Sequence, residues 1–316
     1  METGSSLFSK FIKNDRLPRF MFMPLIGDLA AKVGGLSYRG MCMDPTQWAN
    51  SLMKTADLFD LDGVVAGFDF SIMAEACGSE ITWDNDQPRI TAPPGALNPT
   101  PEDNVRLKTV IETARRLFQV CHNQRVCIAA MTGPITLAYQ LFGMNDYVNR
   151  INEAKQIVAR ITEMFCQCKP DILLYMEEKP LALAAPAPTF IRAYNTLKNE
   201  ASYYNIVPAL YIEGYAPNTL AAFSAMKMNL NIPGPSANGE LPLPSALWDL
   251  NMNASGIALS VPVDDIDKAR EIIQQGIDFH LKKGKQGFYT SYGPLAASTH
   301  LETVHQLVKE IKNTRL

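Results

Sequence analysis

Apolar positions in this chain fall into two kinds of run that alternate along its length. Runs of five to seven residues carry no helical period: Arg19–Leu25, Gly63–Gly67, Val126–Met131, Asp171–Met176, Val207–Ile212, Met228–Ile232, Ser255–Val261 and Gln286–Thr290. Such runs predict strands buried on both faces, as in a parallel sheet. Between them, apolar residues recur every three or four positions, the signature of a helix with one buried face.

The helix after Asp44 shows the second kind clearly. Asp44 is placed to cap it, Pro45 occupies the first turn, and Gln47 can reach back as in a capping box. Trp48, Leu52, Ala56 and Phe59 then share one face. Similar faces are expected from Val105, Val110, Ile111, Ala114, Leu117 and Phe118, beginning at a cap around Thr100, and from Ile151, Ala154, Val158, Ile161 and Phe165. Thr189 to Tyr203 and a short segment ending at Met226 are also helical by pattern. Asp264 is expected to cap a helix through Ile266, Ala269, Ile273 and Ile277, and Thr299 one through Leu301, Val304, Val308 and Ile311.

Two stretches resist assignment. The residues before Arg19 read as a polar start, and about thirty residues from 70 to 100, with Trp83-Asp84-Asn85-Asp86 and four prolines, read as irregular. Loops of that length are uncommon and are often lids or binding loops. Eight strands alternating with helices over 316 residues predict an α/β fold, a (β/α)₈ TIM barrel, as a single domain spanning 1–316 with the 70–100 loop over its mouth. The competing topology is a doubly wound open sheet, but no GxGxxG follows a strand and no GxxxxGK[ST] occurs.

Composition narrows the classes. The net charge of −3 comes without a basic run, so nucleic acid is not an expected partner. Val126 to Asn145 is uncharged and long enough to span a bilayer, but Gly133-Pro134 divides it into a strand-like and a helix-like half, so it is expected in the core and no membrane is a partner. Six scattered cysteines without a CxxC pair, and no secretory leader, point to a reduced, cytoplasmic protein.

In a barrel the C-terminal ends of the strands build the active site. Here they deliver Asp28, Asp69, Glu177, Glu213 and Tyr292. Acids converging on one mouth raise one another's pKa and supply a general acid or base, although each could instead cap the helix that follows. All four histidines fall away from strand ends, and no HxxxH or GxSxG occurs. A zinc site of nitrogen and sulfur ligands, or a serine hydrolase, is therefore not expected.

Asp62-Gly63-Val64-Val65-Ala66-Gly67-Phe68-Asp69, closing with Glu75-Ala76-Cys77-Gly78-Ser79-Glu80-Ile81, resembles the second-strand signature of the uroporphyrinogen decarboxylase superfamily. Thr132-Gly133-Pro134-Ile135-Thr136-Leu137 to Phe142-Gly143 resembles its Gly-Pro-x-Thr-Leu segment, and the order of elements fits through Tyr292-Gly293-Pro294. The resemblance runs from about Pro18 to Ile311 and implies the same barrel. In the heme-pathway decarboxylases of that superfamily, an Asp at the position of Asp69 holds the pyrrole nitrogens and a Tyr at that of Tyr139 assists. The arginine pair expected after the first strand is replaced by Pro24 and Asp28, and the histidine near the eighth strand by Tyr292. The corrinoid-linked methyltransferase branch matches Pro24-Leu25-Ile26-Gly27 better, but its zinc-binding His-x-Cys and Cys are replaced by Tyr211-Ile212-Glu213 and Tyr292.

The resemblance therefore implies a corrinoid-linked methyltransferase-like enzyme without the usual zinc. It would move a methyl group between a small O- or N-methyl compound and the corrinoid (cobalamin) of a partner corrinoid protein. Asp69, Glu177, Glu213 and Tyr139 are the expected catalytic residues, and Tyr211, Tyr292, Asp28 and Met131 the expected substrate contacts. A decarboxylase acting through Asp69 and a non-catalytic binding barrel are the alternatives.

Overall fold

The eight apolar runs form strands whose faces are covered on both sides. The computed structural model of the chain describes residues 2–178, 186–243, 246–247, 250, 256–283 and 286–314. The barrel strands are β1 (Met21–Phe22), β2 (Gly63–Ala66), β5 (Val126–Thr132), β6 (Ile172–Glu177), β7 (Val207–Ile212), β8 (Leu230–Pro233), β9 (Ile257–Val261) and β10 (Gly287–Ser291), while β3 (Glu80–Asp84) and β4 (Gln87–Ala92) pair only with each other. The barrel strands all pair in parallel, in the orders β2-β5-β6-β7-β8 and β9-β10-β1. At one seam Asp62 N–H donates to the Phe22 carbonyl (3.1 Å), and at the other Ser260 Oγ donates to the Pro233 carbonyl (2.7 Å). The cyclic order is that of a (β/α)₈ barrel.

Strand parity divides the core in two, because successive side chains point to opposite faces. Val65, Ile128, Ala130, Ile172, Leu174, Met176, Ala209 and Tyr211 fill the lumen. Val64, Ala66, Ala129, Met131, Leu173 and Tyr175 face the helices. The outer layer comprises α2 (Asp28–Gly34), α3 (Tyr38–Cys42), α4 (Pro45–Phe59), α5 (Ile72–Ala76), α6 (Val105–Cys121), α7 (Pro134–Asp146), α8 (Ile151–Cys166), α9 (Pro188–Tyr203), α10 (Ile266–Lys283) and α11 (Leu301–Asn313). A 3-10 helix, Pro217–Met226, takes the place of the short helix expected there. No helix among the described residues is long and apolar enough to cross a membrane.

The polar start is a helix, α1 (Gly4–Ile12). Thr3 caps it by accepting from Ser6 N–H (3.2 Å), and Leu7, Phe8 and Phe11 enter the lumen, where Phe11 meets Phe288 edge to face at 5.8 Å. The interleaved Ser5, Ser6, Ser9 and Lys10 conceal that face in the sequence. Gly4 permits the fit: a Cβ there would stand 2.0 Å from the Asp62 carbonyl oxygen.

The irregular 70–100 passage contains an antiparallel hairpin, β3 (Glu80–Asp84) and β4 (Gln87–Ala92). Asn85 and Asp86 both have positive φ (49° and 68°), as a tight two-residue hairpin turn requires. Three caps also differ from expectation. Asn104 rather than Thr100 caps α6, accepting from Leu107 N–H at 3.0 Å. Asp265 rather than Asp264 accepts from Lys268 N–H (3.1 Å) at the start of α10, and α11 begins at His300 without a side-chain cap. The Asp44 cap is as expected, accepting from Thr46 and Gln47 N–H at 2.7 and 3.0 Å.

Candidate active site

A cavity of about 790 Å³ opens where β2, β6 and β7 end, bounded on one side by the hairpin. Beyond β2 the chain turns at Gly67 (φ 89°), where a Cβ would lie 2.5 Å from the Ala130 carbonyl oxygen. The turn delivers Phe68, Asp69 and Phe70 to the cavity wall. Asp69 is nearly buried: its Oδ1 accepts from Ser71 N–H (2.8 Å) and Ser71 Oγ (2.6 Å), and its Oδ2 accepts from Arg106 Nη2.

Arg106 is the residue that the sequence reading missed. Its guanidinium, only 2% exposed, bridges Asp69 and Glu75, donates to Ser71 Oγ at 3.2 Å, and sits 5.1 Å from the centre of the Trp83 ring. Burial opposes its charge, but Asp69 and Glu75 outweigh that and push its pKa up. A signal was available: Arg106 shares a helix face with Val110, Thr113 and Leu117, whereas Val105, expected inward, is 69% exposed.

Two further groups complete the wall. Asp28, the first residue of α2, accepts from Gln87 Nε2 of the hairpin at 2.5 Å. Burial raises its pKa against that hydrogen bond, and Asp86 and Asp69 add to the rise. Opposite, the Tyr211 hydroxyl lies 2.6 Å from Glu213 Oε2 and 2.8 Å from the Tyr292 carbonyl, which share its single proton. Burial, with Glu213 and Glu178 nearby, lifts the Tyr211 phenol well above its ordinary pKa, so it stays a neutral donor. Tyr139 and Gln140 of α7 also line the cavity.

Of the eight residues expected at the site, the structure brings Asp28, Asp69, Tyr139 and Glu213 to the cavity, with Tyr211 directly behind Glu213. Tyr292 stands apart, its hydroxyl 3.2 Å from Asp264 Oδ1. Met131 faces the helix layer, where its sulfur is 3.7 Å from Thr162 Oγ1. Glu177 follows the same parity as Leu173 and Tyr175 and also leaves the lumen. It is fully buried, accepting from Ile135 N–H (3.0 Å) and Thr136 N–H (2.6 Å) at the start of α7 and from the Tyr194 hydroxyl. Gly133 makes room for this carboxylate, since a Cβ there would lie 2.3 Å from Glu177 Oε1. Its neighbour Glu178 lines the cavity instead.

Burial lifts the Glu177 carboxyl to about 7 in spite of those hydrogen bonds. The folded protein therefore holds this proton between the ordinary carboxyl range and neutrality, where the unfolded chain has lost it. The contribution of this group to stability is then fully present in acid and is lost as pH rises through that window, by on the order of 3 kcal/mol. Glu177→Gln should flatten this slope, measured as urea midpoints across the window. An unchanged slope would assign the titration to another group.

Among the described residues, the cavity is lined by four carboxylates, Asp28, Asp69, Glu178 and Glu213, and by one cationic side chain, Arg89. Aromatic rings alternate with them: Phe68 meets Phe70 at 6.0 Å and Tyr211 at 5.3 Å, both edge to face. Among the described residues neither histidine nor cysteine lines it. At the end of β7 and beyond β10, Tyr211, Glu213 and Tyr292 provide oxygen donors bound to one another or to Asp264, which does not fit a zinc site built from imidazole and thiolate.

The profile of the uroporphyrinogen decarboxylase (URO-D) family matches residues 4–176. Among solved structures, a methyltransferase from Methanosarcina mazei superposes with a TM-score of 0.78 at 18% identity, covering 98% of both chains. A B12-independent methionine synthase from Shewanella sp. W3-18-1, in complex with selenomethionine, gives 0.51 at 13% identity, over 83% of this chain and 85% of that one. These likenesses establish the barrel fold. No curated protein matches the sequence.

Proposed function

This chain belongs to the uroporphyrinogen decarboxylase family, and from that premise we propose that it is a methyltransferase-type enzyme that moves a methyl group between a small, neutral or cationic O- or N-methyl compound and the corrinoid of a partner protein. The observation that carries this reading is the lining of the cavity: among the described residues four carboxylates and a set of aromatic rings face it, with Arg89 the cationic side chain on its wall and Arg106 behind Asp69. A porphyrinogen bearing four or eight carboxylates would meet repulsion there, with Asp28 where a bidentate arginine is needed. A methylated ether or ammonium compound meets aromatic rings and an attractive field instead.

In this reading the corrinoid is the second substrate, supplying a cobalt nucleophile when reduced. The carbon–oxygen or carbon–nitrogen bond of the donor breaks, a cobalt–carbon bond forms, and the bonding electron pair stays on the leaving atom. An alkoxide or amide leaving group then needs a proton, which Glu213 or Glu178 is placed to take from solvent and pass on. The role expected of Glu177 passes to Glu178, because Glu177 is spent on α7. Tyr211 fixes the Glu213 carboxylate, and the Phe68 and Phe70 rings flank the donor. Decarboxylation through Asp69 gains less support, since Arg106 and Ser71 already engage both of its oxygens.

The test is an absorbance titration of the purified protein with methylcobalamin and cob(I)alamin across ether, amine and quaternary ammonium donors. Conversion between the two cobalt states that requires the protein and one donor is expected. Absence of conversion with every donor would overturn the reading in favour of a binding barrel.

A further inference from the structure

A second cavity, of about 720 Å³, lies at the opposite end of the barrel, and two members of a three-residue cluster of metal-binding side chain types, His122 and Asp171, line it, with the third, Cys127, buried behind them. His122 ends α6, Cys127 is the second residue of β5, and Asp171 immediately precedes β6. The imidazole, thiol and carboxylate each place one donor atom within 4.8 Å of the others. We propose that His122, Cys127 and Asp171 bind a thiophilic divalent ion of the zinc class, with water from the adjoining cavity as the fourth ligand.

The backbone holds two of the three ligands in place. Cys127 N–H donates to Asp171 Oδ2 (2.8 Å), and Asp171 N–H donates back to the Cys127 carbonyl (2.8 Å). Asp171 Oδ2 thus has the outer hydrogen bond that orients a ligating carboxylate. A tetrahedral ion with sulfur at about 2.3 Å and nitrogen or oxygen at about 2.0 Å separates its ligands by roughly 3.5 Å. The observed spacing, within 4.8 Å, therefore needs a contraction of at most about 1.3 Å. The His122 side chain is exposed and free to swing through that distance, whereas Cys127 is fully buried.

The charges also match. A thiolate and a carboxylate neutralise a divalent ion, and the mixture of nitrogen, sulfur and oxygen favours zinc over magnesium or calcium. The nearby Arg125 is committed elsewhere, to Asp57 at 2.8 Å and to the Leu61 carbonyl at 3.1 Å. Lys13 and Lys169 line the cavity side, where the fourth ligand would sit. The ion would join the turn between α6 and β5 to the start of β6, remote from the candidate active site.

Cobalt(II) reports on such a site through thiolate-to-metal charge transfer. Full-length protein, stripped with chelator and titrated with cobalt, should show that absorption at one equivalent, and zinc should displace it. His122→Ala, a surface change that spares the fold, should weaken cobalt binding at least about tenfold. Cys127→Ser should abolish the charge-transfer band, with circular dichroism confirming the fold. A missing band in the wild type would overturn the proposal. So would undiminished affinity in His122→Ala, which would place the ion on another of the six cysteines and decides the matter even if Cys127→Ser unfolds.

Discussion

Replacing Arg106 with methionine should destabilise the protein by about 3–5 kcal/mol, because it strips a buried ion pair of one partner. Arg106 is 2% exposed and lies between Asp69 and Glu75. Without it, the buried Asp69 carboxylate and the partly exposed Glu75 carboxylate are left without their shared cation. The methionine side chain replaces most of the lost volume, so the loss reports on charge more than on a cavity. A urea titration measures it. Arg106→Met combined with Asp69→Asn should recover part of the loss, since the second change removes one of the charges left unpaired. Additive losses in the double variant would show that the two residues do not act as a pair.

The same geometry explains why Asp69 is held so firmly. Its backbone turn, the Ser71 hydroxyl and the Arg106 guanidinium fix both oxygens, and Trp83 covers the guanidinium from the hairpin. Asp69 is therefore held in one orientation at the cavity wall. The hairpin does more than cover the mouth. Through Gln87 on Asp28, and through Asp86 accepting from the Tyr38 and Arg39 N–H groups, it ties itself to the starts of α2 and α3. A segment that reads as an irregular loop is thus part of the rigid wall.

The barrel was legible because each of its strands is a short apolar run and most of the helices between them have a clear face. The site was only partly legible, and for the same reason. A strand apolar on both faces carries no mark of which side is the lumen. Asp28, Asp69 and Glu213 could be placed at strand ends, but Glu177 could not be distinguished from Glu178 until the neighbours of β6 were known. Counting outward from Met176, which fills the lumen, gives the answer at once. Met131 was misplaced by the same one-residue ambiguity. Arg106 was hidden differently: an arginine on a helix is read as exposed by default, and only the exposure of Val105 beside it shows that the apolar face starts one residue later. In α1 the reverse happened, as serines interrupted a face that three large side chains were enough to define.

Glu213→Gln should lower the rate of methyl transfer by about 10²–10⁴-fold if the donor is an ether, since positioned proton transfer contributes that much. Glu213 lines the cavity and Tyr211 fixes its orientation, while the glutamine side chain keeps the shape and an oxygen for the Tyr211 hydroxyl but has no proton to deliver. The loss should then fall on kcat, with KM for a neutral donor little changed. A quaternary ammonium donor predicts the opposite division. Its leaving group departs as a neutral amine that needs no proton, so Glu213 contributes only attraction, and removing one of four carboxylates should raise KM and leave kcat nearly intact. Tyr211→Phe, which removes the Tyr211 hydrogen bond but keeps the carboxylate, should reproduce a weaker version of whichever effect is seen. Steady-state rates of cobalt conversion with both donor types separate the cases. Wild-type kcat and KM in Glu213→Gln would take Glu213 out of the reaction, and if cobalt conversion persisted, methyl transfer would remain with Glu178 or Asp28 as the acid.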